Sequence, residues 1–432
     1  MLQNRLSLNR QALWLLAVSG IFALSVGLSN TFVNIYLWKV DGSFNSIGWY
    51  NLFVYATIPI AFMVAGWIAK HRDAAFTLRL GIGLHAVFYL LSLVGGTMVA
   101  SLPALLGVVM GAAAGLYWLS FNMLSFKVSE TVNRERFYGL NGVMGAIAGI
   151  VAPFVAGYVI QAEDRFNGIS GYHVIFGLSL GLFVLAVFVS MRLQDREKPG
   201  PLYLKQAFAA LKVRPWRMLL LGCFSYGARE GVFLFLIGLL MYIATGSELR
   251  LGEFLLLQSA LSTISFYAVS RIVKPGRRLW ALGIGAVGMA GAALLFLLPI
   301  TAGLIVLYGS IIAIVLPLFL ITLQGVVFDG ISAMDPDRTL FMEHIIMREL
   351  LENAGRVAGI AVFLWLIAPH PTGPKIAYFA FALGFVQIIT WILLWRGGSV
   401  RLGLNANQSG GHGISRAEQV STAYWRQRVR GS

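Results

Sequence analysis

The sequence predicts an all-α, polytopic membrane protein whose twelve transmembrane helices form two pseudo-symmetric bundles of six. Composition is the first reason. Of its 432 residues, 58% are hydrophobic and 12% are charged, and the mean hydropathy is +0.77, whereas soluble domains carry about 25% charged residues. The second reason is a series of apolar runs, each long enough to cross a bilayer. The third is a sequence repeat at about half the chain length.

The apolar runs follow one another with short connections, except near the centre of the chain. About 20 residues at ~1.5 Å rise span the hydrocarbon. The first run is too long for the apolar core of a signal peptide, so we interpret it as a membrane helix. The predicted spans are 12–38, 46–69, 78–98, 101–126, 138–160, 172–191, 216–245, 251–272, 279–298, 301–328, 342–367 and 376–395.

Lys and Arg concentrate in alternate loops, which places both termini and the central loop in the cytoplasm of a cell-membrane protein. The predicted domains are an N-terminal bundle (1–191), a central loop with an interfacial helix (192–215), a C-terminal bundle (216–396) and a disordered basic tail (397–432). The net charge of +15 follows this topology. We therefore expect membrane lipids as partners, no nucleic acid, and a monomer.

Two short matches define the repeat. Ser25–Gly27 in the first span parallels Ser225–Gly227 in the seventh, and Leu80–Gly83 in the third parallels Leu282–Gly285 in the ninth. Repeated halves of this kind predict a substrate site at the midplane between two bundles.

Twelve spans in six plus six, cytoplasmic ends and a long central loop resemble the major facilitator superfamily, over about residues 12–396. Residues 66–73 resemble its G-x-L-A-D-R-x-G-R-R motif, with Lys70 in place of the acid, and Gly276–Arg278 keeps only the motif's ending. Residues 152–157 resemble the G-P-x-x-G-G motif of exporters. The resemblance implies alternating access, a cavity lined by spans 1, 4, 7 and 10, and a preference for export by antiport.

Arg229 and Glu230 lie near the middle of the seventh span. A charge at that depth costs about 2.5–3.5 kcal/mol on insertion scales. One interpretation is that both residues line a polar cavity, where Arg229 holds an anionic group; the other is that they bind neighbouring helices as structural pairs. Adjacent helical residues point about 100° apart, so we expect each to have its own partner.

Uncharged polar and aromatic residues complete the predicted substrate site. Asn30 and Asn34 share one face of the first span, Trp118 and Asn122 share one face of the fourth, and Gln324 lies in the tenth. The repeat pairs Asn30 with Glu230. An aromatic ring beside an amide suits an amphiphilic organic ligand, although helix packing explains the same residues.

The eleventh span carries a second group of charges, with Glu349, Glu352 and Arg356 on one face. We expect these three to form a charge network that rearranges during transport, and Asp329, at the inner end of the tenth span, to be a further coupling or gating residue. A fixed internal ion pair is the alternative. Glu230 or Glu352 is the candidate for proton coupling.

The sequence contains no P-loop, no His-Glu-x-x-His and no Cys or His cluster. We therefore expect no enzymatic activity, cofactor or metal. The predicted function is ion-coupled transport of a small organic solute or amphiphile. A lipid or lipid-linked precursor flippase, and a non-transporting sensor or assembly factor, remain alternatives.

Overall fold

The computed structural model describes residues 8–128, 134–162, 170–195, 203–273, 275–335 and 340–397, and the regular structure of these residues is helical throughout. Six long helices form the first half. They are α1 Arg10–Asp41, α2 Phe44–His71, α3 Ala74–Ala100, α4 Pro103–Val128, α5 Arg134–Gln161 and α6 Gly171–Ser190.

The second half begins after a short helix, α7 Leu204–Ala209, and the 3-10 turn Ala210–Lys212. Its helices are α8 Arg214–Thr245, α9 Glu248–Ile272, α10 Arg278–Ala293, α11 Ala302–Met334, α12 Phe341–Leu366, α13 Gly373–Gly384 and α14 Val386–Gly397. Helix α7 falls in the segment 192–215, for which the sequence predicts an interfacial helix. The predicted disordered tail lies, from residue 398 onward, outside the described residues.

Among the described residues, eleven helical segments are long and apolar enough to cross a membrane, with α13 and α14 together forming one of them. Helix α12 is as long as the others but carries five charged residues, which explains why composition alone does not select it. With α12 the number of membrane-length segments is twelve. The prediction of an all-α protein with twelve membrane helices is confirmed.

Each half of the chain contains the same turn after its first long helix. Helix α1 ends at Gly42 (φ 63°, ψ 17°) and α8 ends at Gly246 (φ 64°, ψ 16°), in the left-handed region that favours glycine. The following residues, Ser43 and Ser247, cap α2 and α9 by accepting hydrogen bonds from backbone N–H groups. The two turns are 204 residues apart.

This spacing corrects the predicted equivalence of Asn30 and Glu230, which are 200 residues apart. At the spacing of the turns, Asn30 corresponds to Leu234. The short sequence matches gave the wrong spacing because Gly, Ser and Leu recur throughout membrane helices. A left-handed glycine followed by a capping serine, by contrast, marks one defined position of the backbone.

Each half packs into a bundle, and two helix pairs form most of the contact between the bundles. Within the first half α2 and α3 pack on α4, and α1 packs on α5 and α6. Within the second half α8 packs on α12 and α14, and α11 packs on α9 and α10. Between the halves, α5 contacts α9 and α2 contacts α12. We name the end of the molecule where α1 begins the inner end, and the end with the Gly42 and Gly246 turns the outer end.

Candidate functional site

A chain of alternating acids and guanidinium groups joins α8 to α12. Glu230 accepts hydrogen bonds from Nε (2.9 Å) and Nη2 (2.6 Å) of Arg356. Arg356 Nη2 also donates to Glu352 at 2.6 Å, and Glu352 accepts another bond of 2.6 Å from Arg348. Arg348 lies 3.2 Å from Glu349. We name these five residues the charge network, and it unites three of the four predicted coupling residues with Glu230.

Close helix packing positions the network. A Cβ atom at Gly227 of α8 would lie 2.0 Å from the backbone oxygen of Glu352, and one at Gly355 of α12 would lie 2.0 Å from that of Phe224. Gly231 and Gly359 are similarly crowded one turn further along. Each helix therefore carries a Gly-x-x-x-Gly pair at the contact, the small-residue pattern that lets membrane helices approach. This pattern is visible in the sequence, and our prediction overlooked it.

The network is largely buried, because the side chains of Arg356, Glu230 and Glu352 are 14%, 21% and 5% exposed. The Tyr226 hydroxyl donates to Glu230 at 2.6 Å. From the first bundle, the Tyr55 ring lies 5.2 Å from the Arg356 guanidinium. The network thus lies where α12 faces α2 of the other bundle. It contains three carboxylates and two guanidinium groups, so one acid is in excess.

Arg229 points away from the network, as expected for a residue adjacent to Glu230. It is 3% exposed, donates from Nη2 to the Tyr308 hydroxyl at 2.9 Å, and lies 4.4 Å from the centre of the Phe233 ring. Among the described residues no carboxylate oxygen lies within 4.0 Å of it. Arg229 and Glu230 therefore have separate partners, and Arg229 is enclosed by the second bundle.

The uncharged candidates divide into two groups. Asn34 is buried and accepts a 2.7 Å hydrogen bond from Asn51, which makes it a contact between α1 and α2 of one bundle. By contrast, Asn30 and Gln324 are exposed, and Asn122 is half-buried. Trp118 is 47% exposed and has its ring edge-on to Phe22 of α1, at 6.2 Å.

Asp329, the fourth predicted coupling or gating residue, lies apart from the charge network. It pairs with Arg278, whose Nη1 also donates to the backbone oxygen of Gly325 at 3.3 Å. Both partners belong to the second bundle, on α10 and α11. This pair ties together two helices of one half, because Arg278 at the start of α10 lies beside the inner end of α11.

A comparable contact in the first bundle involves Lys127 of α4 and Asp195. Their charged atoms are 2.7 Å apart, and the Asp195 carboxylate also accepts from the backbone N–H of Ala74 at the start of α3. Asp73 caps the same helix through the N–H of Phe76. Acidic groups therefore stand at the start of α3 even though Lys70 replaces the motif acid.

At the outer end the bundles are joined by a group of contacts that the sequence did not predict. Glu248 of α9 is 2.9 Å from the Lys39 ammonium of α1 and accepts a 3.0 Å hydrogen bond from the Tyr172 hydroxyl of α6. Nearby, Ser247 donates to Gln161 at 2.7 Å. We name these five residues the outer clasp. Lone charges at helix ends gave no signal that they would meet.

Towards the inner end, the packing of α9 against α5 becomes less close. A Cβ at Gly157 of α5 would lie 2.4 Å from the backbone of Glu248, and one at Gly149 would lie 3.8 Å from Ser259. At Gly145 and Gly142, nearer the inner end, it would meet nothing within 4 Å. The packing between α5 and α9 is therefore close near the outer end and open towards the inner end.

The sequence profile of the Major Facilitator Superfamily matches residues 15–369. The chain belongs to this superfamily. An uncharacterized protein of Bacillus subtilis (strain 168), YqgE, is 40% identical over 361 residues, which are 83% of each chain.

Solved superfamily structures share the fold. A mutant form of the nucleoside transporter NupG has a TM-score of 0.70 at 14% identity, covering 90% of this chain and 100% of that one. A mutant form of the E. coli fucose:proton symporter FucP has a TM-score of 0.61 at 11% identity, covering 89% and 98%. This chain is thus a multi-pass membrane protein of a secondary transporter superfamily, which is the expectation drawn from its degenerate motifs.

Proposed function

We propose that the protein is a secondary active transporter that moves a small organic solute across the cytoplasmic membrane by alternating access. The observation that carries the proposal is the asymmetry of the α5 and α9 contact, which is tight at the outer clasp and open at Gly142. A carrier caught with one entrance closed and the other open has this geometry. The distribution of Lys and Arg among the loops supports a cytoplasmic location for the open end.

We propose the charge network as the coupling site. Three carboxylates share two guanidinium groups, and an unbalanced negative charge in a low-dielectric site is costly. Binding one proton removes the imbalance. The contact of Arg356 with Tyr55 links this site to the other bundle, so that protonation and relative motion of the bundles depend on each other.

The residues Asn30, Trp118, Asn122 and Gln324 are our candidates for orienting the solute, since amides and an indole ring offer hydrogen bonds and an apolar face together. The nucleoside and fucose carriers with the same fold support a small organic solute. For direction we propose export, on the exporter-like motif around Pro153 in α5.

Reconstituted flux tests this proposal. Proteoliposomes containing a pH-sensitive dye would be exposed to panels of nucleosides, sugars, organic acids and apolar drugs, under imposed pH gradients. We expect at least one compound to move protons through the wild-type protein. Failure of every panel with folded protein would favour the non-transporting sensor.

The control uses the outer clasp. In the double variant Gln161→Cys and Ser247→Cys, a short bismaleimide joins α5 to α9 across the closed outer end. The native Cys223 is buried and does not compete. Cross-linking should abolish flux, while the unreacted variant should transport; flux that survives complete cross-linking would rule out alternating access through this end.

A further inference from the structure

We propose that Arg229 and Tyr308 form a binding site for one anionic oxygen group, a carboxylate or a phosphate, of the transported solute. The inference rests on the proposed transport function and adds a substrate class to it. It also assigns a role to Tyr308, which sequence reasoning did not single out.

The first observation is an uncompensated charge. Arg229 is residue sixteen of the thirty-two in α8, at the centre of that helix, and is 3% exposed. Glu230, its neighbour in sequence, is already bound by Arg356 and Tyr226. A buried guanidinium is normally paired with an acid, because removing its hydration shell is costly. Here the described residues supply none.

The second observation is an excess of hydrogen-bond donors. Arg229 Nε is buried and has no partner among the described residues. The Tyr308 hydroxyl accepts from Arg229 Nη2, and it donates to no acceptor in the same part of the chain. Buried donors are almost always satisfied. An N–H and an O–H on adjoining groups, both without acceptors and one attached to a positive charge, together fit an anionic oxygen.

The aromatic rings around Arg229 indicate the chemistry of the rest of the ligand. Phe233 stacks on the Tyr308 ring at 5.9 Å and covers the guanidinium, and Phe296 lies 4.7 Å from Tyr308. The attraction of an arginine to an aromatic face offsets only part of its desolvation. A ligand that reaches Arg229 must displace Phe233 and then meets apolar walls, so the site suits one anionic group on an aromatic or apolar body.

The test measures ligand binding and thermal stability with full-length protein in lipid nanodiscs. Benzoate and phenyl phosphate serve as anionic probes that separate the carboxylate from the phosphate, and benzamide is the neutral control. We expect an anionic probe to bind the wild type and benzamide not to. Arg229→Gln should weaken that binding roughly 10–150-fold, the range for losing a hydrogen bond to a charged group, and Tyr308→Phe should weaken it less. Arg250→Gln, at an exposed ion pair, should leave it unchanged.

Stability without ligand gives an independent result. Because Arg229 carries an uncompensated charge, Arg229→Gln should raise the melting temperature of the ligand-free protein, whereas removal of a paired charge lowers it. The proposal is overturned if Arg229→Gln lowers the melting temperature, if neither anionic probe binds the wild type, or if binding is indifferent to Arg229 and Tyr308. If an anionic probe binds but no solute is transported, the Arg229 site stands and the proposed transport function is wrong. If only neutral solutes are transported, the transport function stands and the Arg229 site is wrong.

Discussion

Substituting Gly227 by alanine tests whether the α8 and α12 contact sets the geometry of the charge network. The added Cβ would lie 2.0 Å from the Glu352 backbone oxygen, while ordinary contact begins at 3.4 Å. The helices must therefore separate locally by roughly 1.4 Å. The Glu230 and Arg356 contacts of 2.6–2.9 Å cross this same interface, so they lengthen when it opens.

The cost follows from two opposing effects. Overpacking a close contact costs about 1–3 kcal/mol, and here the obstacle is a backbone carbonyl that cannot rotate away. Replacing glycine by alanine inside a helix stabilises the helix by about 1 kcal/mol. We therefore expect Gly227→Ala to lower stability by up to about 2 kcal/mol, with the upper figure applying when the Glu230 and Arg356 ion pair is also weakened.

Thermal unfolding in nanodiscs, followed by the fluorescence of the eleven tryptophans, measures this effect. The matched control is Gly83→Ala in α3, where the new Cβ meets nothing within 4 Å and the helix-propensity gain stands alone. The two substitutions should have opposite signs. If Gly227→Ala is as stable as Gly83→Ala, the close approach of α8 and α12 does not hold the network.

Three further outcomes follow from the same contacts. Arg356→Gln should destabilise the protein by about 3–5 kcal/mol, because it leaves buried acids unpaired, and adding Glu230→Gln should recover part of that loss in the same unfolding assay. Glu248→Gln should weaken the outer clasp, so that a cysteine at Asn30 becomes reactive to an impermeant maleimide from the outer face; unchanged labelling would contradict the clasp. Asp329→Asn should leave flux per folded molecule unchanged in proteoliposomes, whereas a gating residue would reduce it.

The membrane fold was predictable because it depends on segment length and polarity, which the sequence displays directly. Lys and Arg at segment ends and apolar runs between them need no knowledge of packing. Helix α12 was recoverable despite its charges because the even number of spans requires it. The alignment of the first half with the second could not be predicted from the sequence. It is defined by the left-handed turns at Gly42 and Gly246, and Gly followed or preceded by Ser is too common in the sequence to identify such a turn.

The sequence shows which charged residues are costly to place in the membrane, but it does not show which of them pair with one another. Glu230 and Arg356 are 126 residues apart, and only the packing of α8 on α12 brings them within hydrogen-bonding distance. Sequence periodicity relates residues on one helix, such as Arg356 and Glu352. It cannot show that Asp329 pairs with Arg278 on a neighbouring helix.

Charge balance, more than burial, separates the structural groups from the proposed functional ones. Asp329 with Arg278, and Glu248 with Lys39, each pair one acid with one base, so these contacts are complete within the chain. The charge network has one acid too many, and Arg229 has no acid at all among the described residues. Burying such imbalances is unfavourable unless something outside the chain completes them. A bound proton would balance the charge of the charge network, and a bound anionic solute would balance the charge of Arg229. A carrier must bind and release both, so its binding sites cannot be neutralised permanently by groups of its own chain.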